Sequence, residues 1–192
     1  MPRANWHTLD ERDLDLGGTS AIPFLAPSAE RVLALGKDGN AYLLNPENLG
    51  GVGHPIETVH VSTGEIRTAM ATFPSSNAAM VVYGAGGGGT GAACPSGQSG
   101  NLVMLAVTLM TVKAAWCVAA GGQTAPIVTT TDGRNNPIVW VAGSKGIDGY
   151  RGTDGKLLVS ATGGGTSLGE AMLFTNGRFY TGSSGRLFAY SF

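Results

Sequence analysis

Short apolar runs recur along this chain, and each ends at a glycine-bounded turn that opens onto another. RVLALGKDGNAYLL (31–44), GQSGNLVMLAV (97–107), VWVAGSKGIDGY (139–150) and RFYTGSSGRLFAY (178–190) share this form. A β-rich run, a two-residue turn flanked by glycines and a second β-rich run predict a β-hairpin. Four such hairpins predict a repeat architecture. Their second glycines, Gly39, Gly100, Gly146 and Gly185, stand 61, 46 and 39 residues apart. The longest step contains an insertion, GAGGGGTGAACPSG (84–97). Without it the unit is about 40–50 residues, the size of a four-stranded propeller blade.

The remaining strands follow from the same pattern. IPFLA (22–26), TAMATF (68–73), APIVTT (125–130) and EAMLFT (170–175) precede the hairpins and would be strand A of each blade. ETVHVS (57–62), VKAAWCVAA (112–120) and KLLVSAT (156–162) follow three hairpins and would be strand D. The expected fold is therefore all-β, a β-propeller of four four-stranded blades over about 20–62, 66–120, 124–162 and 168–192. Residues 5–10 read as a spare D strand for the last blade. Lending that strand, within one chain or between two, would remove exposed edges. The array is then either a closed four-bladed ring or half of an eight-bladed ring completed by a homodimer.

Composition narrows the classes of function. Of 192 residues, 31 are glycine and 13% are charged, against roughly 7% and 25% in average proteins. The net charge is −1 and there is no Lys/Arg run, so neither a nucleic-acid partner nor an anionic membrane surface is expected. No apolar stretch reaches the length of about 18 residues that a membrane span needs. The first eighteen residues lack a signal-peptide core. The chain is therefore cytosolic, or lacks a removed leader, or is part of a longer protein. Cys94 and Cys117 are either two free thiols or one disulfide tying the glycine-rich insertion to a strand.

The stretches GKDGNAYLLNPENLGG and GSKGIDGYRGTDGKLLVSA resemble the repeats of quinoprotein-type (pyrroloquinoline-quinone-like) β-propellers. Tyr150, Thr153, Gly155, Lys156, Leu157 and Leu158 match that repeat, Val159 stands where it carries a tryptophan, and Trp116 is the one plausible docking tryptophan in a D strand. The resemblance implies a propeller fold, an extracytoplasmic location with the leader absent, and Ca²⁺ or the quinone as cofactor, although nothing in the residues themselves requires one. A cytoplasmic location stays open. Two functions follow. One is a binding or assembly module for a small molecule or protein. The other is a propeller enzyme, either a quinone-dependent dehydrogenase or a metal-assisted hydrolase of the lactonase or phosphotriesterase type.

Candidate chemistry is sparse. Gly84-Ala85-Gly86-Gly87-Gly88-Gly89 fits GxGxxG, but TGAACPSG after it is a poor helix, so it reads as a long loop. Neither GQSGN nor GSSGR completes a nucleophile elbow. His54 and His60, and separately Asp13 and Asp15, are weak metal candidates; two carboxylates are too few for a Ca²⁺ site. Topology offers more. In a propeller the B–C turns and D–A loops share one face, usually the functional one. That face would carry Lys37, Asp38, Glu65, Arg67, Lys145 and Glu170, with Arg67 placed for a bidentate contact to a carboxylate or phosphate.

Overall fold

The computed structural model describes residues 6–16, 18–26, 28–49, 54–86, 90–121, 124–164, 172–183 and 185–191. Among the described residues a short helix, α1 (Trp6–Glu11), is followed by fifteen strands. Strands β1 (Ile22–Ala26), β2 (Ala29–Leu35), β3 (Asn40–Leu44) and β4 (Glu57–His60) form the first sheet. Strands β5 (Ala71–Pro74), β6 (Ala79–Gly84), β7 (Leu102–Val107) and β8 (Val112–Val118) form the second. Strands β9 (Ile127–Thr129), β10 (Ile138–Gly143), β11 (Gly146–Arg151) and β12 (Leu157–Thr162) form the third. Strands β13 (Met172–Thr175), β14 (Arg178–Ser183) and β15 (Arg186–Ser191) form the fourth. Each sheet is an antiparallel meander of consecutive strands, the pattern of a propeller blade. The molecule is an all-β, propeller-type array of four blades.

Alternation along the strands explains how the blades stack. Leu33 and Leu35 of β2 pack with Ala41 and Leu43 of β3 against Val81, Tyr83, Val103 and Leu105 of the second blade. The opposite face of the second blade, with Val82, Leu102, Met104 and Trp116, packs on Val139, Val141 and Tyr150 of the third. Trp140, Ala142 and Ile147 turn the other way and meet Phe179 of the fourth. Polar ties accompany the packing. The buried Tyr83 hydroxyl donates to the Val61 carbonyl at 2.6 Å, and burial pushes that phenol well above its ordinary range. Trp116 Nε1 donates to the Gly152 carbonyl at 2.9 Å, fastening the second blade to the third.

Four blades thus enclose three apolar seams. Among the described residues no hydrophobic cluster joins the fourth sheet to the first. The outer faces of the first and fourth sheets each carry exposed apolar side chains, Leu25 on one and Leu173 and Leu187 on the other.

The second glycines of the first three repeats have a shared reason. At Gly39, Gly100 and Gly146, φ is +76°, +146° and +144°. An added Cβ would lie 2.2, 2.0 and 1.9 Å from the backbone of Ser62, Val118 and Ala161, which belong to or directly follow strand D. Glycine is required because strand D passes there. At Gly185 (φ +74°) nothing described lies within 4 Å, and among the described residues the fourth blade has no strand beyond β15.

Two expectations need correction. Residues 6–11 are helical rather than a strand on β15. Their apolar residues, Trp6 and Leu9, stand three apart, a helical rather than an alternating spacing, and Leu14 N donates to Leu9 O at 2.8 Å to continue the turn. Asn5 lies outside the described residues. The GQSG stretch is also not a tight turn between strands. Gly84 pairs directly with Leu102, so GQSG does not join the two strands as a tight turn but stands at the end of the connection between them.

That loop is anchored rather than free. Cys94 and Cys117 are joined, with Cα atoms 5.7 Å apart. Thr90 and Thr63 exchange backbone and hydroxyl hydrogen bonds, Thr63 N to Thr90 O at 2.8 Å and Thr90 N to Thr63 Oγ1 at 2.7 Å. Ala92 N donates to Val61 O at 3.1 Å, so the insertion straps the second blade to the first. Replacing both cysteines with serine is expected to cost about 3 kcal/mol, because the bridge restricts the unfolded chain over a loop of this size. Urea denaturation of the oxidised protein and the double variant measures it; equal midpoints would contradict a closed bridge.

Candidate functional site

The first blade and the joint to the second enclose an open cleft of about 570 Å³. The β2–β3 turn contributes Lys37 and Asp38, the end of β4 contributes His60, and the segment leading to the second blade contributes Glu65 and Arg67. Ser62 and Thr63 form the floor between them. The B–C turn and the following D–A joint therefore do meet on one face.

These side chains are ordered by their neighbours. Lys37 Nζ donates to Asp15 Oδ2 at 2.7 Å and to the Asp13 carbonyl at 3.1 Å, and pairs with Asp13 Oδ2 at 3.2 Å. Lys37 N also donates to Asp15 O at 3.0 Å, so residues 13–15 run as a strap along the rim. The Lys37 hydrogen bond and charge hold Asp15 below the ordinary carboxylate range, and the Asp15 hydrogen bond raises Lys37. Asp38 accepts from Asn40 Nδ2 at 2.9 Å and from the Tyr42 hydroxyl. Asn40 Oδ1 faces His60 Nδ1 at 3.3 Å. Arg67 Nε donates to Glu65 Oε2 at 2.6 Å and its Nη2 pairs with the same oxygen, with the half-exposed guanidinium at the mouth. Ser62 is buried, and its hydroxyl closes a local turn on Gly64 O at 2.7 Å.

The strap has a pH signature. Lowering of Asp15 makes its contribution complete above the free carboxylate value and lost as pH falls through the depressed one. Raising of Lys37 makes its contribution complete below 10.5 and lost as pH rises beyond it. The Asp15 carboxyl, followed by ¹³C NMR, should titrate below the 3.8 of a free aspartate. In Lys37→Met it should move back up towards that free value. An unshifted midpoint in the parent protein would show that the strap does not form.

The cleft unites Lys37, Asp38, Glu65 and Arg67. Lys145 sits apart, on the exposed β10–β11 turn of the third blade, with its carbonyl accepting from Gly163 N at 3.0 Å. Glu170 lies outside the described residues. His60 joins the cleft while His54 is exposed outside it, and Asp13 and Asp15 grip Lys37. Among the described residues no three His, Cys, Asp or Glu side chains converge as a metal would need. Ser62 and Thr63 were not singled out from sequence; their signal was the STG turn directly after strand D. Among the described residues lining this cleft there is no phenyl, phenol or indole ring for a planar quinone to stack on, so they do not fit that group.

No family model matches the chain, and no curated protein matches it. Among solved structures it is similar to the quinohemoprotein alcohol dehydrogenase of Comamonas testosteroni, at 15% identity and a TM-score of 0.45. The match covers 84% of this chain and 33% of that one, so the chain spans about a third of that protein's length.

Proposed function

We propose that this chain is a non-catalytic binding module that works outside the cytoplasm, self-associates, and takes a small anionic ligand in the cleft beside Arg67. The observation that carries the ligand site is the convergence of a B–C turn and a D–A joint on one cavity. Arg67 and His60 offer donors, while Asp38 and Glu65 select against an unsubstituted dianion. A carboxylate that also carries hydrogen-bond donors matches this lining best. The Cys94–Cys117 bridge supports the location, since such bonds persist in oxidising compartments.

The test is an amide NMR titration with glutamate, citrate and inorganic phosphate. Glutamate should shift Gly64, Glu65 and Arg67, and Arg67→Ala should weaken that binding at least about tenfold, roughly 1.4 kcal/mol. Shifts confined to the opposite face, or none with any of the three, would overturn the placement.

A further inference from the structure

The fourth blade ends on a surface whose counterparts are buried in the other three. The residue beside each B–C turn that faces the following blade is Ala41, Leu102 and Ile147 in the first three, at 0%, 2% and 0% exposure. The fourth copy of this position is Leu187, paired with Gly182 as Ile147 is with Ala142, and it is 74% exposed. Leu173, Tyr180 and Ala189 lie in register beside it across β13, β14 and β15, and Leu173 is also exposed.

The first blade shows the complementary face. Leu33 and Leu35 point to the second blade, so Glu30, Val32 and Ala34 point away from it, with Leu25 paired to Glu30 and Pro23 to Val32. Leu25 is 78% exposed. A hollow of about 210 Å³ opens at this edge, lined by Pro23, Leu25, Glu30, Val32 and Pro46 together with Phe24 and Arg31. The two faces differ in charge at matching height. Glu30 is the second residue of β2 and Arg178 the first of β14, and both are exposed.

We infer that the outer face of the fourth blade is covered by the first blade of a second copy of this chain. Leu173 enters the hollow at Leu25, Leu187 is buried as Ile147 is within the chain, and Arg178 meets Glu30. A two-fold pair makes this contact twice and covers both outer faces. The inference rests on the self-association in the proposed function and is independent of the ligand.

Sedimentation velocity of the full chain at about 20 µM should show a closed dimer. Leu187→Asp should sediment as a monomer with an unchanged circular dichroism spectrum, because Leu187 makes little contact within its own chain. Glu30→Arg or Arg178→Glu alone should weaken the dimer at least about tenfold, and the two combined should restore it. A monomeric parent, open-ended polymers, or a dimer indifferent to Leu187→Asp would each overturn the inference. Retained glutamate binding by a monomeric Leu187→Asp separates this outcome from failure of the cleft.

Discussion

Gly146→Ala is expected to destabilise the protein by about 3–5 kcal/mol, combining backbone strain with overpacking. At φ +144° a side chain is strained by itself, and its Cβ would fall 1.9 Å from the Ala161 carbonyl of β12. Strand D would have to move away and break its ladder to β11. Gly100→Ala should behave similarly, 2.0 Å from the Val118 backbone. Gly185→Ala meets no described atom within 4 Å and should cost only the left-handed penalty, about 1 kcal/mol. Urea midpoints of the three variants give the comparison. Equal losses at all three would mean that turn conformation alone, and not the passing strand, explains the repeated glycine.

Trp116→Ala should be at least as damaging, about 4–6 kcal/mol from a lost ring and a lost hydrogen bond. The ring is 1% exposed, fills the seam between the second and third blades, and lies against Gly155, where an added Cβ would be 2.9 Å from Cε3. Its Nε1–H is the partner of the Gly152 carbonyl. Trp116→Phe keeps most of the packing and should cost about 1–2 kcal/mol. A small loss for Trp116→Ala would mean that the two blades do not share this core.

The hairpins were legible because two local signals coincided: β-branched and aromatic runs, and glycines at both ends of the turn. Trp116 was legible as a D-strand docking residue only through the resemblance to quinoprotein-type repeats, which carry a tryptophan in that strand. The helix at Trp6–Glu11 was misread because NWHTLD is too short for its period to outweigh the topological wish for a spare strand. The GQSG stretch was misread because a glycine-bounded pair looks alike in a tight turn and at the end of a longer connection between two strands. In the cleft, Lys37, Asp38, Glu65 and Arg67 could be placed from topology alone, since a B–C turn and a D–A joint must share a face. Their partners could not. That Asp13 and Asp15 serve Lys37 depends on how the chain before the first blade folds back, which no repeat pattern encodes. Nothing local in the sequence marks Thr63, which is tied to Thr90 of the insertion 27 residues away.

The central claim is that four blades form an open array whose ends fit a second copy. Glu30→Cys and Arg178→Cys placed together in one chain test it most directly, by mild oxidation and a non-reducing gel, with Cys94–Cys117 left intact. The account predicts a cross-linked species of twice the chain mass, formed in proportion to the dimer seen by sedimentation. A cross-link within a single chain would mean that the first and fourth blades close a four-bladed ring on themselves, and would contradict it.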